Sequence, residues 1–175
     1  MTHLILLFLH VTAAMGIVAG LGIEGLTLVH LRASRNGADV RQSLTSSRYA
    51  QRIAGSSLLV AIVTGLYLAT VYWHWSGAWM GVAMLTIIAM ALVGGLMTGR
   101  ALRSVTDAMG PGAIPALQAR LGMSYTIRLG LFLGIVFLMT TKPESGPIAL
   151  AAVAVAGAVG FLAGLPARRR GAVRA

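Results

Sequence analysis

The amino-acid sequence predicts an all-α protein, a bundle of five transmembrane helices. Its composition is 57% hydrophobic and only 10% charged, whereas soluble domains contain about 25% charged residues. Five apolar stretches are long enough to cross a hydrocarbon core of ~30 Å. Basic residues fall in alternate loops between these stretches. The spans take up nearly all of the 175 residues, so the sequence predicts one transmembrane domain over residues 1–165 and no separate soluble catalytic domain.

The first predicted span covers Leu4 to Leu31, which contains no Lys, Arg, Asp or Pro. Residues 32–53 form a polar loop with Asn36-Gly37 as a turn signal, and its part from Asp39 to Ile53 is expected to be a short amphipathic surface helix. The second span covers residues 54–75. Tyr and Trp crowd the end of this span, as they do at membrane–water interfaces.

The third span covers residues 78–97, and the tight turn Ser76-Gly77 predicts that it packs on the second span as an antiparallel hairpin. A polar loop over 99–123 follows, with Gly110-Pro111-Gly112 as a breaker. Pro115 suits the first turn of a helix, from which the fourth span continues over 124–141. After a short turn comes the fifth span, 147–165, and then a basic tail, 166–175.

The distribution of charge predicts the orientation of the bundle. The chain has 14 Lys and Arg residues, and all except Lys142 lie on the side of the first loop, the third loop and the tail. Since cytoplasmic loops are enriched in Lys and Arg, the N-terminus is expected outside and the C-terminus in the cytoplasm of a bacterial cytoplasmic membrane. The net charge of +10 is thereby explained by topology rather than by binding to nucleic acid.

Glycines spaced by four suggest close helix packing, because small residues let helix backbones approach each other in lipid. The four pairs are Gly16 and Gly20, Gly95 and Gly99, Gly130 and Gly134, and Gly160 and Gly164. They predict a tight bundle in the bilayer, and they also suit a homo-oligomer or a larger membrane complex.

Histidines are the first candidates for chemistry. The predicted topology brings His3, His10 and His74 to the outer side, whereas His30 lies roughly 30 Å from His10 along the helix. His10 and His74 could ligate haem b, or the three outer histidines could bind copper, since imidazole suits both metals. A structural role for all four histidines is the alternative.

Glu24 and Arg128 are the charged residues well inside the predicted spans, both in the cytoplasmic half. A charge in lipid is costly unless it is paired, so we expect a buried ion pair between them. Arg128 could instead extend its charge to the headgroups. A Glu24 that exchanges protons would point to a proton-coupled carrier or an accessory membrane subunit.

The sequence argues against several enzyme classes. It has no Cys, which excludes thiolate ligands and nucleophiles. It also lacks Gly-x-Ser-x-Gly, a phosphate-binding loop and His-Glu-x-x-His. A hydrolase or phosphotransferase is therefore not expected.

Short motifs resemble a family of small bacterial predicted integral membrane proteins without a characterised function. They are Leu9-His10, Gly65-Leu66-Tyr67, and Phe137-Leu138-Met139 leading into Lys142-Pro143. That family is loosely similar to the copper-resistance-D-type and haem-handling membrane proteins, which carry a histidine in their first helix. The resemblance extends over residues 1–143 and implies a haem or metal role for His10.

Overall fold

The computed structural model describes residues 1–34, 37–101 and 113–173. It confirms the all-helical class, and five helices in these ranges are long and apolar enough to cross a membrane. They are α1 (Thr2–Ala33), α2 (Gly37–Val71), α3 (Ala78–Val93, continued by the π-helical segment Gly94–Gly99), α4 (Ala113–Thr141) and α5 (Gly146–Val173).

Two antiparallel helix pairs form the frame of the bundle. Helix α1 packs along α2, and α4 packs along α5, whereas α3 contacts mainly α4. The second and third spans do pack against each other, as expected, but α2 packs much more extensively along α1 than along α3. Small residues favour the pairing of α1 with α2, since they let the two backbones approach closely.

Three of the four glycine pairs lie at these tight interfaces. Gly16 and Gly20 face Ser57 and Ala54 of α2, where an added Cβ would clash. On the other pair, Gly130 faces the backbone of α5 and Gly160 faces the backbone of α4. Gly95 meets no atom within 4 Å, and it belongs to the π-helical segment instead. The pairs on α1, α4 and α5 thus pack helices within this chain.

Several predicted boundaries differ from the observed ones. The expected surface helix Asp39–Ile53 and the second span form one continuous helix, since the segment contains no Pro and its only Gly before Gly65 is Gly55. Helix α2 ends at Val71, so residues 72–75 lie in a turn. Pro115 is in the first turn of α4, as expected, and α5 continues to Val173. The predicted turns at Asn36 and at 110–112 lie outside the described residues.

The two ends of the bundle differ in character. We call one end of the bundle the short-turn end; it comprises Met1, the turn of residues 72–77 and the turn of residues 142–145. We call the opposite end, where Arg32 and Arg120 lie, the arginine end. A core cluster that includes Leu31 and Leu121 lies toward the arginine end. A second cluster, which includes Trp79 and Leu138, lies toward the short-turn end. Between the second cluster and the middle of the bundle, the helix pairs leave a cavity.

Candidate functional site

A cavity of about 400 Å³ lies between the two helix pairs. Residues of α1, α2, α3 and α4 line it, and nearly all of them are apolar. It reaches from Lys142 and Trp73 at the short-turn end to Met90 and Phe132 near the middle of the bundle. Because Lys142 and Trp73 are both exposed, we refer to their end of the cavity as its mouth. Four of its lining residues are methionines: Met80, Met84, Met90 and Met139. Its volume is within the roughly 300–1,000 Å³ of ligand pockets, which are also mostly apolar.

His10 is the histidine in the wall of this cavity. Its ring rests against Gly65 of α2, where an added Cβ would lie 2.9 Å from the ring carbon Cε1. Gly65 therefore makes room for the imidazole between two closely packed helices. The neighbouring Thr64 places its hydroxyl oxygen 3.0 Å from His10 Nδ1. Helix α2 thus fixes both the position and the tilt of the ring.

The hydrogen bonds of Thr64 define which ring nitrogen carries the proton. The Thr64 hydroxyl donates its single hydrogen to the Val60 carbonyl at 2.6 Å. Its oxygen can then only accept a hydrogen bond from His10, so Nδ1 must be the protonated nitrogen. Nε2 consequently keeps its lone pair, and no residue that the structure describes donates a hydrogen bond to it. A neutral imidazole held in this way has one nitrogen that is able to bind a metal.

The other histidines do not join His10 in the cavity wall. His74 lies in the turn after α2 with left-handed backbone (φ 48°), and it does not line the cavity. The ring of His3 packs edge-on against Tyr72, with centroids 4.6 Å apart. His30 lines a different, more polar cavity at the arginine end. Within the described residues, no three His, Asp or Glu side chains are grouped for a metal ion.

Glu24 and Arg128 form a buried salt bridge, the contact that the sequence predicted. Both side chains are almost fully enclosed. Arg128 also donates from Nε to the Ser124 carbonyl at 3.3 Å and from Nη2 toward the Thr98 hydroxyl at 3.4 Å. The hydroxyls of Thr98 and Ser124 lie 2.7 Å apart. We refer to Glu24, Thr98, Ser124 and Arg128 as the polar cluster.

The π-helical segment contributes to the polar cluster in two ways. It carries Thr98, which is 1% exposed. It also provides Gly94, where an added Cβ would lie 3.4 Å from Cδ of Arg128, so the guanidinium chain passes over a position without a side chain. π-Helical turns occur often at functional or structurally demanding positions. Here the segment lets α3 approach the arginine of α4.

Sequence reasoning missed the cavity, Thr64 and Lys142. Thr64 did leave a signal, because it is the sole polar residue of the run from Ala61 to Leu66 and stands next to Gly65. The cavity left none, since its walls come from helices that are distant in sequence.

Comparisons with family models, with curated proteins and with solved structures found no match to this chain.

Proposed function

We propose that the protein is a membrane protein that binds haem b in the cavity, with Nε2 of His10 as an axial ligand. The observation that carries this proposal is the 3.0 Å contact of His10 Nδ1 with the Thr64 hydroxyl, from which we infer that Nε2 is the unprotonated nitrogen facing the cavity. Histidines that ligate metals usually donate their other ring N–H to a second group. Thr64 is such a group.

The surroundings of His10 favour haem over a bare metal ion. A metal ion needs several ligand atoms close together, and no three-histidine copper site is formed in the described ranges. The cavity is also far larger than one ion requires. A flat macrocycle supplies its own four nitrogen ligands, so a single histidine and an apolar slot are enough to hold it.

The wall formed by α3 and α4 could supply a second ligand to the iron. That wall offers the thioethers of Met80 and Met84 on α3 and of Met139 on α4. His74, the partner expected from the sequence, lies outside the cavity lining in the structure. Paired His and Met ligation raises the reduction potential of a haem relative to ligation by two histidines. The absorption and potential of the bound haem therefore distinguish these partners.

The orientation and membrane expected from the sequence complete the proposal. With the N-terminus outside a bacterial cytoplasmic membrane, the short-turn end and the cavity mouth face the outer side. Reporter fusions after Gly77 should then report an external position, and fusions to the C-terminus a cytoplasmic one. A cytoplasmic signal at Gly77 would overturn this orientation.

The decisive experiment for haem binding is a titration of the purified protein with ferric haem, followed by the Soret band. The parent should shift the Soret band and retain the haem through gel filtration, and His10→Ala should not. His30→Ala, on the same helix but away from the cavity, is the matched control. His74→Ala tests the second ligand and should leave binding intact. No Soret shift with the parent, or equal retention by His10→Ala, would refute haem binding.

A proton-coupled carrier or an accessory subunit organised by Glu24 is the competing proposal. The observation in its favour is a carboxylate, 3% exposed, inside the first helix. The salt bridge with Arg128 argues for a fixed structural role, because proton exchange would have to break it. Colourless protein whose reconstituted vesicles show a pH-dependent flux, lost in Glu24→Gln, would favour the carrier over the haem protein.

A further inference from the structure

We propose that Lys142 binds the propionate groups of the haem at the cavity mouth. It thereby determines the orientation in which an amphipathic ligand binds in the cavity. This inference rests on the proposed haem function and adds a carboxylate-recognition role. Lys142 is the only Lys or Arg among the residues that line the cavity. His10 lines the same cavity further from the short-turn end, against Gly65, which lies six residues before the end of α2 at Val71.

The backbone at the end of α4 directs Lys142 to this place. Lys142 has left-handed backbone (φ 46°), and its N–H donates to the Leu138 carbonyl at 2.9 Å. This is a common way to end a helix, although glycine is the usual residue for it. The reversal of the chain brings the ammonium Nζ over the ring of Trp73, 4.4 Å from the ring centroid.

Trp73 restrains the ammonium without neutralising it. The aromatic face attracts the cation through its quadrupole, and Trp73 is itself held edge-on by Trp79, with centroids 5.6 Å apart. No carboxylate in the described part of the chain lies within salt-bridge distance of Lys142. The ammonium therefore has donors left for an anion. Because Trp73 also lines the cavity, that anion would lie at its mouth.

The arrangement of charge matches a ligand that is apolar at one end and carboxylated at the other. The cavity below Lys142 is lined by apolar side chains and holds the His10 imidazole. Haem has this polarity, since its propionates lie on one edge of an apolar ring. A haem with its iron at His10 and its propionates at the mouth would satisfy both groups. The reversed orientation would bury two carboxylates among Met90 and Phe132.

The test compares ferric haem with its dimethyl ester, which keeps the ring and iron but lacks both propionate charges. The parent protein in detergent, at low ionic strength, should bind haem about fivefold more tightly than the ester by Soret titration, as suits an ion pair at a partly exposed site. Lys142→Met should bind both compounds with the affinity that the parent has for the ester. Lys142→Arg should keep most of the preference. Added salt should reduce it in the parent, because exposed charges are screened.

Glu144→Gln is the matched control, since it alters a charge in the same exposed turn without touching the cavity lining; it should keep the preference of the parent. Equal binding of the two compounds by the parent, or an undiminished preference in Lys142→Met, would overturn the role of Lys142 while leaving haem binding in place. Failure of the parent to shift the Soret band with either compound would overturn the haem function and this inference with it.

Discussion

The polar cluster and the His10 site show two ways in which one helix carries a polar side chain into an apolar bundle. Both begin on α1, and Glu24 lies about 21 Å from His10 along the axis at ~1.5 Å per residue. Glu24 pairs with Arg128 of α4, which in turn donates to Ser124 and toward Thr98. His10 meets the Thr64 hydroxyl and the Ala61 backbone of α2, and otherwise a mostly apolar cavity.

The contrast between the polar cluster and the His10 site shows that burial alone does not mark a functional residue. In the polar cluster every charge and hydroxyl is matched by a neighbour, which is what a stabilising site requires. At His10 one ring nitrogen is fixed and the other is left available beside empty space. A site that is incomplete without a ligand is the better candidate for function.

The largest expected effect tests the polar cluster as a structural site. Glu24→Leu or Arg128→Met should each destabilise the protein by about 3–5 kcal/mol, because the remaining charge is left buried without its partner. The double variant Glu24→Leu/Arg128→Met should lose less than either single variant. The free energy of unfolding in detergent measures both. Glu144→Gln, an exposed acidic residue, should change it by less than about 0.5 kcal/mol.

A double variant whose loss of stability equals the sum of the two single losses would contradict this assignment, since it would show that the two charges do not depend on each other. The same variants should leave haem retention at His10 unchanged wherever the protein still folds. Loss of haem in a folded Glu24 variant would mean that the two sites are coupled.

A second, smaller effect is expected at Thr64. Thr64→Val removes the acceptor for His10 Nδ1 while nearly keeping the side-chain shape, so haem affinity should fall by about 10- to 100-fold. The matched control is Thr86→Val, because the Thr86 hydroxyl is also buried and donates to the Val82 carbonyl of its own helix. Soret titration measures both variants. Equal affinities would show that the tautomer of His10 is not set by Thr64.

The smallest effect is expected from a single methyl group at Gly65. Gly65→Ala places a Cβ against the His10 ring, so the imidazole must move by a few tenths of an ångström. Haem affinity should fall severalfold, with little change in stability. Gly55→Ala, in the same helix with nothing within 4 Å of an added Cβ, is the control. A Gly65→Ala protein that binds haem like the parent would indicate that the ring position is not tightly specified.

The sequence predicted the salt bridge correctly but not the surroundings of His10. The salt bridge could be predicted from single residues, whereas the His10 site depends on where α2 ends. The salt bridge was predictable, because Glu24 and Arg128 are isolated charges in apolar segments and each needs a partner. The partner of His10 was predicted as His74, on the assumption that α2 continues to Trp75. The helix instead ends at Val71, and both His74 and Trp75 adopt left-handed backbone, so the turn carries His74 away from the cavity lining.

The cavity itself could not be predicted from hydropathy. It exists because glycine-rich faces hold α1 to α2 and α4 to α5 more closely than either pair approaches the other. An apolar residue that lines a cavity and one that faces lipid look alike in a sequence. The continuous helix from Gly37 to Val71 was missed for a related reason, since polarity suggested a surface position and said little about where the helix breaks.

The distance in sequence between the partners of the salt bridge has a consequence for biosynthesis. Glu24 and Arg128 are 104 residues apart, so at roughly 5–20 residues per second the ribosome needs about 5–20 s to deliver the arginine after the glutamate. During that time α1 and α2 can already pair, but Glu24 has no cationic partner. The nascent chain must therefore wait, with a carboxylate exposed on its first hairpin, until α4 arrives.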